Sequence, residues 1–119
     1  ELPEEYRKTG QPIFIPGSMG TSSYILVGTE KAREISFAST AHGAGRVMSR
    51  TKAKQLLTPD QVKENLKKQN ISIKISSNNG LVEEAPEAYK DVDEVVRVSD
   101  ELGIGIIVAK LKPLAVIKG

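Results

Sequence analysis

Five short apolar runs constrain this chain more than any other feature. They are Ile13-Phe14-Ile15, Tyr24-Ile25-Leu26-Val27, Ile71-Ser72-Ile73-Lys74-Ile75, residues 104–111, and Leu114-Ala115-Val116-Ile117. Each is closed by proline, glycine or polar residues, is brief for a helix and is rich in strand-forming side chains, so each predicts a strand. The run at 71–76 alternates strictly and predicts a half-buried strand, whereas 104–111 reads as fully buried. Helical spacing fills the gaps between them, which predicts a mixed α/β or α+β architecture.

The helix signals vary in kind. Thr58-Pro59-Asp60-Gln61 supplies a capping hydroxyl, a proline at the first helical position, an early acid and a glutamine three residues after the cap. It predicts a helix to about residue 69, with Val62 and Leu66 inward and Asn70 as its stop. Thr29 is a candidate cap for a helix over 30–38 that places Ala32, Ile35 and Ala38 on one face. Ser49 is a candidate cap for 50–57, burying Ala53, Leu56 and Leu57. Asn78-Asn79-Gly80 reads as a turn. Pro86 opens a further helix in which Tyr89, Val92, Val95, Val96, Ser99 and Leu102 share a spacing and Gly103 is the stop.

At 119 residues, 39% hydrophobic and 27% charged, the chain has room for one globular core. Aromatic residues make up 4%, so that core is aliphatic and stacking platforms for bases are scarce. The net charge of +2 is too small to argue for nonspecific nucleic-acid binding. Local charge is more uneven: Arg46, Arg50, Lys52 and Lys54 stand together without an acid, and carboxylates crowd residues 83–101. Read plainly, these are two solvated helix faces. With no cysteine, disulfide and thiolate-metal frameworks are excluded. No run of about eighteen apolar residues and no basic-then-apolar leader occurs, so a cytoplasmic protein without a membrane span is expected. The start at Glu1-Leu2-Pro3-Glu4-Glu5, without an initiator methionine, suggests a fragment or a processed product of something longer.

Two loops carry candidate chemistry. Residues 16–23 hold two glycines and four hydroxyl side chains between two strands. Alone, this reads first as a hydroxyl-rich turn and second as a backbone cradle for an anion; it lacks the Gly-Lys-Ser/Thr ending of a Walker loop. The other loop is Ser39-Thr40-Ala41-His42-Gly43-Ala44-Gly45-Arg46, which contains the only histidine. A lone histidine is ordinarily a core or surface residue. This one, however, is followed by small residues that let a ligand approach the backbone and by a cation able to face phosphate. Tyr89 has two readings, a core side chain at a helix start or a ring left to cover a ligand, and spacing favours the first. Lys118, beside the last residue, is solvated in the ordinary case, but two apolar runs lead up to it and predict an anchored terminus.

Through Pro16-Gly17-Ser18-Met19-Gly20-Thr21, His42-Gly43-Ala44-Gly45-Arg46-Val47-Met48-Ser49-Arg50 and Ala109-Lys110-Leu111-Lys112-Pro113-Leu114-Ala115-Val116-Ile117-Lys118-Gly119, the chain resembles the C-terminal part of the archaeal RtcB-type tRNA-splicing ligases. The resemblance covers essentially all 119 residues. It implies a C-terminal portion of one larger catalytic domain with a mixed sheet and packed helices. It also implies GTP- and manganese-dependent joining of RNA ends bearing a 2′,3′-cyclic phosphate or 3′-phosphate to 5′-hydroxyl ends, as in tRNA splicing and RNA repair. On this likeness His42 is the nucleophile that becomes guanylylated, and GMP then passes to the RNA 3′-phosphate before the 5′-hydroxyl displaces it. Pro16, Gly17, Ser18 and Met19 line the nucleotide site, Ser23 helps hold the base, and Gly43, Ala44 and Gly45 run along the nucleotide. Tyr89 covers the guanine and Lys118 contacts it. Arg46 is an added candidate for phosphate or RNA contact.

The resemblance also implies a manganese site built from an aspartate, a cysteine and several histidines in the preceding part of such proteins. This sequence has no cysteine and no second histidine, so no metal ligand is assigned in it. The chain alone is therefore expected to be inactive and to expose unpaired strand edges. Its expected partners are GTP, RNA ends such as tRNA halves, and the N-terminal part of the same protein, supplied in the same chain or as a separate one. The alternative reading is a noncatalytic fragment that binds guanine nucleotide or RNA.

Overall fold

The computed structural model describes residues 2–118. Glu1 of the opening Glu1-Leu2-Pro3-Glu4-Glu5 stretch and Gly119 of the closing motif lie outside them. Strand β1 (Pro12–Ile15) pairs antiparallel with β2 (Ser23–Gly28), which pairs antiparallel in turn with β4 (Gly105–Leu111). A second sheet is formed by β3 (Ser72–Ile75) lying parallel to β5 (Ala115–Lys118). Between and around them lie α1 (Lys31–Ser36), α2 (Arg50–Leu56), α3 (Pro59–Lys68), α4 (Asn78–Glu83) and α5 (Val92–Glu101). The architecture is α+β with mixed sheets.

Two separate cores result. In one lobe Ile15, Tyr24 and Leu26 of the antiparallel sheet pack against Val92 and Val96 of α5. In the other, Val62 and Leu66 of α3 meet Met19, Ile71, Leu81 and Ala85, with Leu57, Ile73, Ile75 and Val116 at the margin. Their side-by-side arrangement explains extents of 47 × 25 × 23 Å and a radius of gyration of 16.4 Å, against about 13–14 Å for a compact chain of this length.

Local chemistry accounts for several boundaries. The Thr58 hydroxyl accepts the Gln61 N–H at 3.3 Å while the Gln61 carbonyl oxygen accepts the Thr58 N–H at 3.1 Å, the reciprocal cap expected. The Ser49 hydroxyl accepts the Lys52 N–H at 3.1 Å to start α2.

Other expectations are corrected. Helix α1 is shorter than 30–38, because Phe37 and Ala38 turn left-handed at φ 54° and 57°. Ala38 and Ile35 are consequently exposed, leaving Ala32 as the buried member of the predicted face. The Thr29 hydroxyl does not cap that helix; it donates to the Gly103 carbonyl across the lobe. Leu56 points outward, 59% exposed, since the helix ends there and Leu57, extended at φ −115° and ψ 145°, is the leucine that reaches the core margin.

Asn78-Asn79-Gly80 is the first turn of α4, since the Ser77 hydroxyl accepts the Gly80 N–H at 3.1 Å and Leu81 and Val82 are buried. Pro86 opens only a 3₁₀ turn (Pro86–Ala88). Tyr89 then leaves helical geometry at φ −114°, ψ 156°, and α5 starts afresh on Asp91, whose carboxylate accepts the Asp93 N–H at 2.9 Å. Strand β4 is not enclosed: Ile106 and Leu111 are exposed on the sheet face away from Leu26, Val108 is exposed at a register shift, and even Ile107, opposite the buried Leu26, is 38% exposed.

Candidate functional site

The loop between β1 and β2 is fixed from within. The Gly17 N–H donates to the Ser23 hydroxyl at 3.0 Å, and the Ser18 N–H donates to the Thr21 hydroxyl at 2.8 Å. A Cβ on Gly17 would lie 2.1 Å from the Ser22 carbonyl, so the turn closes only around glycine. Two amides of the predicted cradle are thus satisfied by the loop's own hydroxyls, in line with the first reading of this loop. Met19 projects away from it and is 3% exposed within the helical core, so it can offer a ligand only its backbone.

The histidine loop rides on the sheet lobe, where Ala41 and Ala44 pack against the core. His42 between them is exposed. Among the described residues its imidazole has no hydrogen-bond or ion-pair partner. A Cβ on Gly43 would find only the Pro16 carbonyl, 4.0 Å away, and one on Gly45 only Lys90 Cδ, also at 4.0 Å. The chain is therefore bare beside the ring and close to the start of the 16–23 loop. Gly45 sits at φ +76°, a left-handed turn that aims the following residue back into the protein.

That residue, Arg46, is held on every side. Its Nε donates to the Met48 carbonyl at 3.0 Å, Nη2 to the Glu83 carbonyl at 2.6 Å and Nη1 to the Tyr89 hydroxyl at 3.1 Å. The guanidinium carbon stands 4.8 Å from the centroid of the Tyr89 ring. Backbone bonds complete the clamp: the Val47 N–H donates to the Ala88 carbonyl and the Lys90 N–H to the Gly45 carbonyl, both at 2.9 Å. Arg46 is a strut for Tyr89, with its three kinds of nitrogen each bound to protein.

Sequence reasoning missed the acid at the centre of this network. Glu84 accepts the Tyr89 hydroxyl and lies 3.2 Å from Lys118 Nζ and 3.5 Å from both Arg46 Nη1 and Arg50 Nε. Its neighbour Glu83 pairs with Lys54 at 2.8 Å. Partial burial opposes ionisation of Glu84, but the Tyr89 hydroxyl, Lys118 and Arg46 outweigh it and hold the carboxyl below its ordinary value. Tyr89 is pushed up, first by burial and then by the adjoining Glu84 carboxylate. The available signal was the run of cations at 46–54 with no acid of its own, which requires counter-charge from elsewhere.

The structure sets Pro16, at the start of the 16–23 loop, near Gly43 of the histidine loop, and joins Arg46, Tyr89 and Lys118 through Glu84. The Gly45–Lys90 bond links the two groups. A cleft of about 760 Å³, lined by Arg7, Lys8, Arg33 and the Gly10–Gly28 contact, includes none of these residues. Among the described residues no three His, Cys, Asp or Glu side chains gather into a metal site, and His42 has no carboxylate beside it. The residues present do not fit manganese.

The chain matches the family model described as tRNA-splicing ligase RtcB over residues 1–119. The tRNA-splicing ligase RtcB of Nanoarchaeum equitans is 59% identical over 119 residues, which is all of this chain and 25% of that protein. The Archaeoglobus fulgidus protein of the same name is 57% identical with the same coverage. That of Pyrococcus furiosus is 48% identical over 118 residues, 99% of this chain and 12% of that protein. The chain spans a quarter or less of the length of these relatives. With the family model matched from one end to the other, the chain belongs to the RtcB family of tRNA-splicing ligases.

Proposed function

We propose that this chain is the C-terminal part of the catalytic domain of an RNA ligase that joins 2′,3′-cyclic phosphate or 3′-phosphate ends to 5′-hydroxyl ends, using GTP. The observation that carries the reading is the exposed, unpartnered His42 ring followed by the bare Gly43 and Gly45. A neutral imidazole has a lone pair able to attack phosphorus. In this reading His42 attacks the α-phosphorus of GTP, a P–N bond forms, and pyrophosphate leaves with the electrons of the broken P–O bond. An oxygen of the RNA 3′-phosphate then takes the guanylyl group from the ring, which recovers its lone pair. The 5′-hydroxyl oxygen attacks the activated 3′-phosphorus, loses its proton and expels GMP.

Gly43 and Gly45 leave room for the nucleotide, the 16–23 loop borders it, and Tyr89 and Lys118 face the base. Manganese belongs in this proposal to the part of the protein outside this chain, and no residue here is assigned to it. The exposed apolar side chains of β4 support the reading of a part of a larger domain. RNA ends, tRNA halves among them, are the partners and the cytoplasm the setting; no helix among the described residues is long and apolar enough to cross a membrane.

Incubating the full-length protein with radiolabelled GTP and manganese is expected to label it covalently at His42. His42→Ala should abolish the label while changing stability by less than about 0.5 kcal/mol, since the ring is exposed. Persistent label in that variant overturns the proposal. A noncatalytic guanine-nucleotide-binding fragment is the second reading, favoured by the lack of a metal cluster among the described residues; it predicts saturable binding without covalent transfer.

A further inference from the structure

Glu84 lies in none of the motifs that identify the family, yet four side chains from separate parts of the chain converge on it. One carboxylate oxygen serves the Tyr89 hydroxyl and Lys118 Nζ; the other faces Arg46 Nη1 and Arg50 Nε. The four partners come from the histidine loop, the start of α2, the segment before α5 and the end of β5. Glu84 and Arg46 are each only 22% exposed, so their contact is sheltered from solvent to a degree the surface pairs of the molecule are not, while Lys118 and Arg50 reach in from more open positions. An ionised carboxylate accepts through both oxygens, about four bonds in all, and is the smallest group that can hold two hydroxyl or ammonium donors and two guanidinium edges together.

We propose that Glu84 is a positioning residue for the nucleoside end of the site. It fixes the Tyr89 ring and the Lys118 ammonium in one mutual arrangement before nucleotide arrives. The inference rests on the reading above, in which Tyr89 and Lys118 face the base. Tyr89 is bound at its hydroxyl by Glu84 and Arg46 and on its ring by the Arg46 guanidinium, so it has little freedom left to lose on binding. Lys118 spends one donor on Glu84 and keeps two for acceptors on a purine edge. Such preorganisation acts on nucleotide capture. It has no contact with the reacting phosphorus or with His42, so it leaves the transfer step itself untouched.

The test is single-turnover self-labelling of the full-length protein across a range of labelled GTP concentrations. Glu84→Gln keeps one acceptor and loses the charge, and is expected to raise the half-saturating GTP concentration about tenfold. The maximal labelling rate should stay within about twofold. Tyr89→Phe, which removes only the hydroxyl and strands no charge, should raise half-saturation about threefold and covers the case in which the Glu84 variant folds poorly. Lys118→Met, which also removes the donors that face the base, should raise half-saturation at least as far as Glu84→Gln, and the double variant should fall short of the product of the two single effects, because Glu84 acts in part through Lys118.

Unshifted half-saturation in the Glu84 and Tyr89 variants, or a fall in maximal rate alone, overturns the positioning role while leaving the ligase reading intact. A drop in melting temperature without a shift in half-saturation overturns it as well. Failure of the unsubstituted protein to label at all overturns the ligase reading, and the positioning role with it.

Discussion

The two lobes solve the same burial problem to different degrees. The helical lobe closes around its core: Val62, Leu66 and Leu81 are at most 1% exposed, and α4 packs against both α2 and α3. The antiparallel sheet buries one face, with Ile15, Leu26 and Val96 fully covered, and leaves the other open, with Phe14 58% and Ile106 53% exposed. Register explains the split. Phe14 lies opposite Ile25, which lies opposite Ala109, while Val27 lies opposite Ile106, so these share the uncovered face. A completed lobe and a half-covered one meet at the candidate site. The 16–23 loop leaves strands of the sheet lobe and roots Met19 in the helical core.

This contrast predicts unequal responses. Leu66→Ala should cost about 2–5 kcal/mol, as for a buried leucine with little room to collapse. In the full-length protein, hydrogen exchange should then quicken most at the amides of α3 and α4 and least at β1 and β2. Equal loss in both lobes would mean that the cores, though they share no buried residue, open as one unit. At the seam, Gly45→Ala should cost about 1–2 kcal/mol because of its left-handed backbone. Gly43→Ala should cost less than about 0.5 kcal/mol, since open space surrounds its Cβ position; chemical denaturation of both variants measures the difference.

The smallest effect concerns one carboxylate from each lobe. Asp93 is held below its ordinary 3.8 by Lys110 and by the Tyr24 hydroxyl. Glu84 sits below its ordinary 4.5 despite the opposing effect of burial. Each therefore favours the folded state above those ordinary values, and its contribution is lost as the pH falls through the lower folded-state value. Glu84 is the more enclosed, 22% against 47% exposed. Denaturation midpoints followed from about pH 6 downward should lose more of their acid dependence in Glu84→Gln than in Asp93→Asn.

Where a signal was confined to neighbouring residues, the sequence was a sound guide. Thr58 and Gln61 cap each other without help from the rest of the fold, and the proline-bounded run at 13–15 has no alternative to a strand. Tyr89 shows the opposite case. It sits at helical spacing from Val92 and Val96, yet the chain is extended there because its backbone pairs with Arg46, 43 residues away. Nothing local distinguishes those two states. The stop of α1 at Phe37 and Ala38 was hidden because neither residue favours a left-handed backbone. The exposure of β4 was hidden because a continuous apolar run records that a strand is covered, not which part of a protein covers it. At the site, the loops were legible from their glycines and the histidine. The acid that unites Arg46, Tyr89 and Lys118 was not, since one glutamate among many on a charged stretch carries no mark of its partners.

The parallel pairing of β5 with β3 imposes an order of events during synthesis. Lys118 reaches Glu84 only once β5 lies alongside a strand made some forty residues earlier. The histidine loop, Arg46, Arg50 and Tyr89 are all made before β5, so until that strand is in place Glu84 lacks its Lys118 ammonium. The cluster around Glu84 is thus assembled from its earlier-made members first, and its final contact waits on the pairing of two strands far apart in sequence.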